Sequence, residues 1–202
     1  MSVEVPGRTE AAVLVTLFVS DGQLHSVFTE RRHDLRRHGG EISFPGGRHD
    51  EGDGDLERTA LREAEEEIGL PAGEVEVLGA LRPTPTMVSG YAVYPFVGMI
   101  EPGRAWRLSA REVAQVLELS LPALRAGYGQ RRLVRRGIPI RTDTYLVGEH
   151  LIWGATARSC ATCSSGSARC CKGACSGARM RAPAGAACGA GRAAHAPRAL
   201  AL

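Results

Sequence analysis

The chemically richest stretch of the 202-residue chain is Arg62-Glu63-Ala64-Glu65-Glu66-Glu67-Ile68-Gly69-Leu70. A helix turns about 100° per residue, so with Glu63 at zero Glu67 falls at roughly +40° and Glu66 at roughly −60°. Three carboxylates then share a sector of about 100°, and Leu61, Ala64 and Ile68 occupy a neighbouring sector that can face a core. Like charges three and four residues apart repel, and Arg62 alone does not neutralise them. A hard divalent cation with all-oxygen ligands, Mg2+ or Mn2+, suits such a face. Most glutamate runs are only solvated faces, but the context here points to chemistry. Phe44-Pro45-Gly46-Gly47 predicts a tight glycine turn, an aspartate-rich loop follows, and Gly69 stands where a helix C-cap belongs. Strand, glycine turn, loop and acidic helix in that order form a phosphate–metal arrangement.

The elements that must position this helix read as follows. Residues 11–19 are an apolar strand, Asp21-Gly22 a turn, and Leu24 to Thr29 a second strand, together a hairpin. Residues 30–40 are basic; the bland reading is a solvated charge run, and the functional one an anion-binding wall, for which arginine suits phosphate. Ile42 to Phe44 is a short strand, Asp55 to Gly69 the acidic helix, and Glu74 to Leu81 a strand. Residues 82–90 form a loop by composition. Residues 91–100 form an apolar strand in which Pro95 implies a bulge or an edge. Glu112 to Leu119 reads as a strand; Glu112 could add a further carboxylate near the metal, although a surface residue is the stronger reading. Leu121-Pro122-Ala123-Leu124 opens a short helix, residues 131–153 hold two or three strands, and a helix starts near Ala155. The expected class is α/β, a sandwich with a mixed central sheet flanked by helices.

The acidic run resembles the Nudix box, G-x5-E-x7-R-E-U-x-E-E-x-G-U with U a bulky aliphatic residue. Gly47, Arg62, Glu63, Glu66, Glu67, Gly69 and Leu70 match, and Ala64 is a small stand-in for the aliphatic position. The stretch from Gly47 to Arg62 is one residue longer than the box, and Gly54 stands where its first Glu would fall. Asp53 or Asp55 could substitute locally, and Asp55 also fits a helix N-cap. The coenzyme A pyrophosphatase subfamily shares the extra residue and a lead-in L-T-x-R-x-x-x-L-R-x-H-x-G-x-I-x-F-P-G-G-x-x-D. This chain reads Phe28-Thr29-Glu30-Arg31, Leu35-Arg36, His38, Gly40, Ile42, Phe44-Pro45-Gly46-Gly47 and Asp50, and the likeness runs over about residues 10–157.

The resemblance implies a Nudix-type α/β/α sandwich and metal-dependent hydrolysis of coenzyme A or acyl-coenzyme A to adenosine 3′,5′-bisphosphate and 4′-phosphopantetheine or its acyl derivative. Glu63, Glu66 and Glu67 would hold Mg2+ or Mn2+, Glu63 would serve as base, and Arg62 would orient the glutamates. Arg31, Arg36 and His38 would grip the substrate, with Gly46 and Gly47 allowing close backbone approach. Two rivals remain: a Nudix enzyme for another nucleotide derivative, such as an ADP-sugar or a nucleoside triphosphate, and an inactive binding module of the same fold that lacks its closing helix.

Composition bounds these readings. A net charge of +3 is too mild to argue for nucleic acid. The first dozen residues have no signal-peptide core and no window reaches membrane-span length, so a cytoplasmic protein acting on a small molecule is the expectation, with oligomeric state open. All six cysteines follow residue 159, in a stretch dominated by Ala, Gly, Arg, Cys and Ser. The expected division is a catalytic domain over 1–158 and, over 159–202, an unstructured or out-of-frame tail lacking the leucines of a closing helix. A zinc-binding tail is the weaker alternative, because only one C-x2-C pair, Cys160 and Cys163, is present.

Overall fold

The central strand is β1 (Thr9–Ser20), whose run of β-branched and aliphatic residues is buried on both faces. A computed structural model describes residues 8–36, 38–86, 90–135 and 137–164 of the protein. Asp21 and Gly22 both take positive φ, 50° and 70°, which matches the twist of the two-residue turn into β2 (Gln23–Arg31). Ser20 pairs with Gln23 and Leu17 with Ser26, so the expected hairpin forms. On its other edge β1 runs parallel to β7 (Tyr91–Met99), from Thr9 opposite Tyr91 to Leu17 opposite Met99.

The remaining strands of this sheet are antiparallel additions. β3 (Ile42–Ser43) and β8 (Val113–Ser120) pair with β2, β4 (Gly46–Arg48) with β1, and β5 (Glu76–Ala80) and β6 (Thr84–Pro85) with β7. The sheet is therefore mixed, as expected. Pro95 does not bulge its strand and β7 is not an edge. The proline falls in the gap between β5 and β6, where its carbonyl accepts from the Leu81 N–H at 2.8 Å, so its missing N–H interrupts no ladder.

Helix α1 (Leu56–Ile68) covers one face of the sheet. Asp55 caps it by accepting from the Arg58 N–H at 2.8 Å, and Gly69, at φ 69°, closes it in the left-handed conformation. Ala60, Ala64 and Ile68 of α1 pack on Ala12, Leu14, Phe18 and Val27. The alternate residues of β1, Val15 and Leu17, face the opposite core with Phe28 and Leu117. That face is closed by α2 (Leu121–Ala126), by a second antiparallel sheet of β9 (Tyr128–Arg135), β10 (Ile138–Val147) and β11 (His150–Trp153), and by α3 (Gly154–Ser164). Helix, sheet and a mixed third layer make the α/β sandwich. No helix among the described residues is long and apolar enough to cross a membrane.

Helix α3 differs from the sequence expectation in its extent. It continues past residue 158 to Ser164, with Ala157, Ser159 and Cys160 buried. Small side chains let this helix lie close on the core without leucines, and the Ser159 hydroxyl donates to the Ala155 carbonyl within it. The tail expected from residue 159 lies, beyond Ser164, outside the described residues, as do the side chains of the cysteines other than Cys160.

Candidate active site

The acidic helix meets the sheet at the glycines. Gly46 and Gly47, expected as a turn, form strand β4 instead, opposite Val13 and Ala12 of β1. A Cβ on Gly46 would lie 2.3 Å from the Ala12 carbonyl oxygen, and one on Gly47 would lie 2.4 Å from the Glu63 carboxylate. Gly46 therefore requires glycine, because the atoms it would meet are backbone, whereas a side chain at Gly47 would displace the Glu63 carboxylate. The second contact packs the Glu63 carboxyl directly on the backbone, as close approach demands.

Glu67 lies deeper. Its side chain is 5% exposed, its Oε1 is 3.6 Å from Arg31 Nη1, and the Gly46 N–H donates to it. Its Oε2 is buried without a hydrogen-bond partner. Burial, opposed by Arg31 and reinforced by the Glu63 and Glu112 charges, lifts the Glu67 carboxyl to about 8. Burial likewise raises Glu63, against the neighbouring Arg62. Glu66 differs: it is 60% exposed and turned to Arg62, with Oε2 3.2 Å from Nη1.

Arg62 holds this group together. Its Nη2 is 2.9 Å from Glu63 Oε1. On its other side it makes a two-pronged contact with Asp53, Nε donating to Oδ1 at 2.6 Å and Nη2 to Oδ2 at 3.1 Å. Asp53 also accepts from the Thr59 hydroxyl at 2.8 Å, and His49 Nδ1 lies 2.7 Å from that hydroxyl. The Arg62 guanidinium holds the Asp53 carboxyl far below the usual carboxylate range. The two substitutes left open for the first box glutamate are thus distinguished by geometry: Asp53 meets Arg62, whereas Asp55 caps the helix.

Arg31 reaches the helix from β2. Opposite it the pairing with β8 slips by one residue: Glu30 faces Gln115 and Arg31 faces Val113, leaving Ala114 over as a bulge. The loop before β8 is latched to the lead-in by the Arg32 N–H donating to the Glu112 carbonyl at 2.9 Å and by Arg32 Nη1 donating to the Ala110 carbonyl at 2.6 Å. Glu112 is thereby set beside the site, its Oε2 3.4 Å from Arg31 Nη2. Glu112 is a surface residue, as expected, with its side chain half-exposed, and it also stands near the Glu63 and Glu67 carboxyls, as the weaker of its two readings had it. Nothing local in the sequence decides between the two, because the contact with Arg31 spans residues 31 and 112. The same loop ties to the end of α1, Ser109 N–H donating to the Glu67 carbonyl at 2.9 Å and Arg107 N–H to that of Ile68 at 3.1 Å.

The lead-in residues do not all converge. Arg31 joins the glutamates, Arg36 is exposed to solvent, and His38, at φ 60°, pairs its Nδ1 with Glu41 at 2.8 Å. Among the described residues no three His, Cys, Asp or Glu side chains stand close enough, as placed, to hold a metal ion. Glu63 and Glu67 nevertheless suit a hard divalent cation: both supply only oxygen, both are raised by burial, and the orphaned Glu67 Oε2 lacks a positive partner. Glu66 would have to leave Arg62 to join them.

The Nudix domain profile matches residues 8–136. Two proteins called uncharacterized Nudix hydrolase NudL, from Salmonella typhimurium and Salmonella typhi, are each 40% identical over 159 residues, covering 78% of this chain and 82% of theirs. Among solved structures, a MutT/nudix family protein from Enterococcus faecalis superimposes with a TM-score of 0.52 at 15% identity, over 79% of this chain and 61% of that one. The Nudix hydrolase RenU from M. smegmatis does so with a TM-score of 0.50 at 20% identity, over 59% and 75%. These structural likenesses are of fold. The chain belongs to the Nudix hydrolase family, which acts on nucleoside diphosphate derivatives and generally uses divalent metal ions such as Mg2+ or Mn2+.

Proposed function

We propose that this chain hydrolyses the pyrophosphate bond of coenzyme A or acyl-coenzyme A, giving adenosine 3′,5′-bisphosphate and 4′-phosphopantetheine or its acyl derivative. The observation that carries the reading is Arg31. It belongs to the lead-in that resembles the coenzyme A pyrophosphatases, and its guanidinium stands between Glu67 and Glu112, next to the box carboxylates. A diphosphate arriving there meets a cation fixed beside the proposed ligands.

In this reading Glu63, Glu67 and, on leaving Arg62, Glu66 would hold Mg2+ or Mn2+. Bound there, the cation would offset the pyrophosphate charge and lower the pKa of a water. Glu63 accepts the proton of the attacking water, for which a carboxyl raised by burial is suited. The water oxygen adds to one phosphorus, the bridging P–O bond breaks, and the leaving phosphate departs. Arg62, fixed by Asp53, orients Glu63 and does not itself exchange a proton. Gly46 and Gly47 keep the backbone close enough for the substrate to reach the carboxylates. The lead-in resemblance assigns Arg36 and His38 to the substrate as well, and both lie on its solvent side.

A second reading, another nucleotide derivative as substrate, is favoured by the orientation of His38 toward Glu41 and the exposure of Arg36. It needs the same helix but not the lead-in. The inactive-module reading, a fold without its closing helix, is opposed by the three intact box glutamates Glu63, Glu66 and Glu67. The test is mass spectrometry of products after incubation with Mg2+ or Mn2+ and, separately, coenzyme A, ADP-ribose and dATP. Release of 4′-phosphopantetheine from coenzyme A, without cleavage of the other two, is the expected result. Cleavage of ADP-ribose or dATP alone would retain the carboxylate site and overturn the substrate.

A further inference from the structure

The carboxylate that fixes Arg62 is not on the helix. Asp53 precedes α1 in the lengthened loop, and its position there depends on what holds it from outside. Three groups do so. Arg62 binds both of its oxygens, the Asp50 N–H donates to Oδ2 at 3.1 Å, and the Thr59 hydroxyl lies 2.8 Å from the same atom. Thr59 is fully buried on α1, one turn before Glu63. His49 stands behind Thr59, its Nδ1 2.7 Å from that hydroxyl. The His49 N–H donates to the Glu10 carbonyl at 3.0 Å, so the residue is pinned to β1, and its side chain is mostly buried.

The count of hydrogens gives this contact a direction. Asp53 is ionised, because the Arg62 guanidinium holds its carboxyl below the usual range, and an ionised carboxylate only accepts. The Asp55 carbonyl, 3.2 Å from the Thr59 hydroxyl oxygen, also only accepts. The hydroxyl has one hydrogen, and with these two acceptors beside it none is left for His49. Nδ1 must therefore carry a hydrogen and donate it to Thr59 Oγ1. That bond occupies the hydroxyl oxygen and leaves its hydrogen for Asp53, the nearer acceptor, against the backward bond to Asp55 that a helical threonine otherwise makes. The bonded atoms run His49 Nδ1, Thr59 Oγ1, Asp53 Oδ2, Arg62 Nη2 and Glu63 Oε1, with separations of 2.7, 2.8, 3.1 and 2.9 Å. Arg62 Nη2 is common to Asp53 and Glu63, so a rotation of the Asp53 carboxylate moves the atom that holds Glu63.

Resting on the reading of Glu63 as the base, we propose that His49 is a positioning residue for hydrolysis: through Thr59 and Asp53 it sets the Arg62 guanidinium that orients the Glu63 carboxylate. His49 exchanges no proton in the reaction. Its part is to keep a hydrogen on Nδ1, which the charged ring and one neutral tautomer both do. The amide nitrogen of an asparagine side chain can stand where Nδ1 stands and donate in the same way, whereas a phenylalanine keeps the ring and loses the donor.

The experiment measures kcat and KM on whichever of coenzyme A, ADP-ribose and dATP the protein cleaves, so it does not depend on the choice among them. His49→Phe and Thr59→Val are each expected to lower kcat about three- to tenfold with KM within about twofold, as a loss of orientation demands. His49→Asn and Thr59→Ser, which restore the donor and the hydroxyl, are expected to stay within about twofold of the parent. The double variant His49→Phe, Thr59→Val is expected to be slower than Thr59→Val by no more than about twofold, because both changes break the same link. A second readout needs no substrate. The Arg62 Nε–H donates to Asp53 Oδ1 at 2.6 Å, and its exchange with solvent can be followed by 15N NMR. That exchange is expected to quicken at least about threefold in His49→Phe and to be restored in His49→Asn. Parental kcat in His49→Phe, a His49→Asn as slow as His49→Phe, losses that multiply in the double variant, or unchanged Arg62 exchange would each overturn the proposal. Faster exchange in His49→Phe, in a protein that cleaves none of the three substrates, would sustain the chain of hydrogen bonds and overturn the hydrolysis itself.

Discussion

Glu67 ties the stability of the metal-free protein to pH. Its carboxyl stands at about 8 against an ordinary 4.5, so between those values the folded chain holds a proton that the unfolded chain has released. Stability is then greatest below pH 4.5 as far as this group is concerned, and falls as pH rises toward 8. Each pH unit within the window costs about 1.4 kcal/mol, so the loss from pH 4.5 to 7 is about 3 kcal/mol. For a chain of this size that corresponds to a drop in melting temperature of roughly 6–12 °C. Glu63, also raised, acts in the same direction. Asp53 is lowered, so its contribution is complete above its ordinary 3.8 and does not oppose the trend in this window. The assay is a set of thermal melts in EDTA at pH 5, 6, 7 and 7.5, repeated with Mg2+. The slope should appear without metal, shrink with Mg2+, and largely vanish in Glu67→Gln. A melting temperature that is flat or rises with pH in the metal-free protein would refute the account of Glu67 as a carboxylate held against its charge.

Other substitutions separate catalysis from folding. Glu67→Gln should lower kcat by about a hundredfold or more while the protein, measured by melting without metal, is no less stable; a loss below tenfold would sink the metal assignment. Gly47→Ala should cut activity about a hundredfold by driving the Glu63 carboxylate off the backbone, with circular dichroism unchanged. Gly46→Ala, which meets backbone atoms of β1, should instead cost about 1–3 kcal/mol of stability in urea denaturation. Asp53→Asn should reduce kcat about tenfold or more through a misaligned Arg62, and Asp53→Glu should recover part of it. Asp55→Ala, by contrast, should cost about 1 kcal/mol with kcat unchanged, because that side chain serves only the helix N-terminus.

Local periodicity made the acidic helix legible: its span, its cap at Asp55, its closure at Gly69 and the shared sector of Glu63 and Glu67 follow from residues within one segment. The β1–β2 hairpin was legible for the same reason, in Asp21-Gly22. What stayed hidden depends on pairings between distant segments. Two consecutive glycines look like a turn until β1 supplies a partner, and only then do they form β4. For Glu112 the string offers both a surface residue and an added carboxylate, and only the bulge at Ala114 and the Arg32 latch set that exposed side chain beside Arg31. Asp53 and Asp55 are equivalent candidates in a string, and only the path of the lengthened loop sends one to Arg62 and the other to the helix end. Helix α3 was legible in its start near Ala155 but not in its run past residue 158, because Ala157, Ser159 and Cys160 carry little hydrophobic signal, although small residues suit a close approach.

The parallel pairing of β1 with β7 has a consequence for how the chain reaches this state. Thr9 meets Tyr91, 82 residues further on, so the middle of the main sheet cannot be completed until that much chain is available. Until then one edge of β1 is open, and its apolar side chains lack half of their neighbours. Contacts of such long sequence separation form late and slow the search. During synthesis the hairpin and the acidic helix emerge first, with an unfilled strand edge between them and the ribosome. Slow refolding, with aggregation that falls as protein concentration is lowered, is therefore written into the order of the strands, independently of anything the carboxylates do.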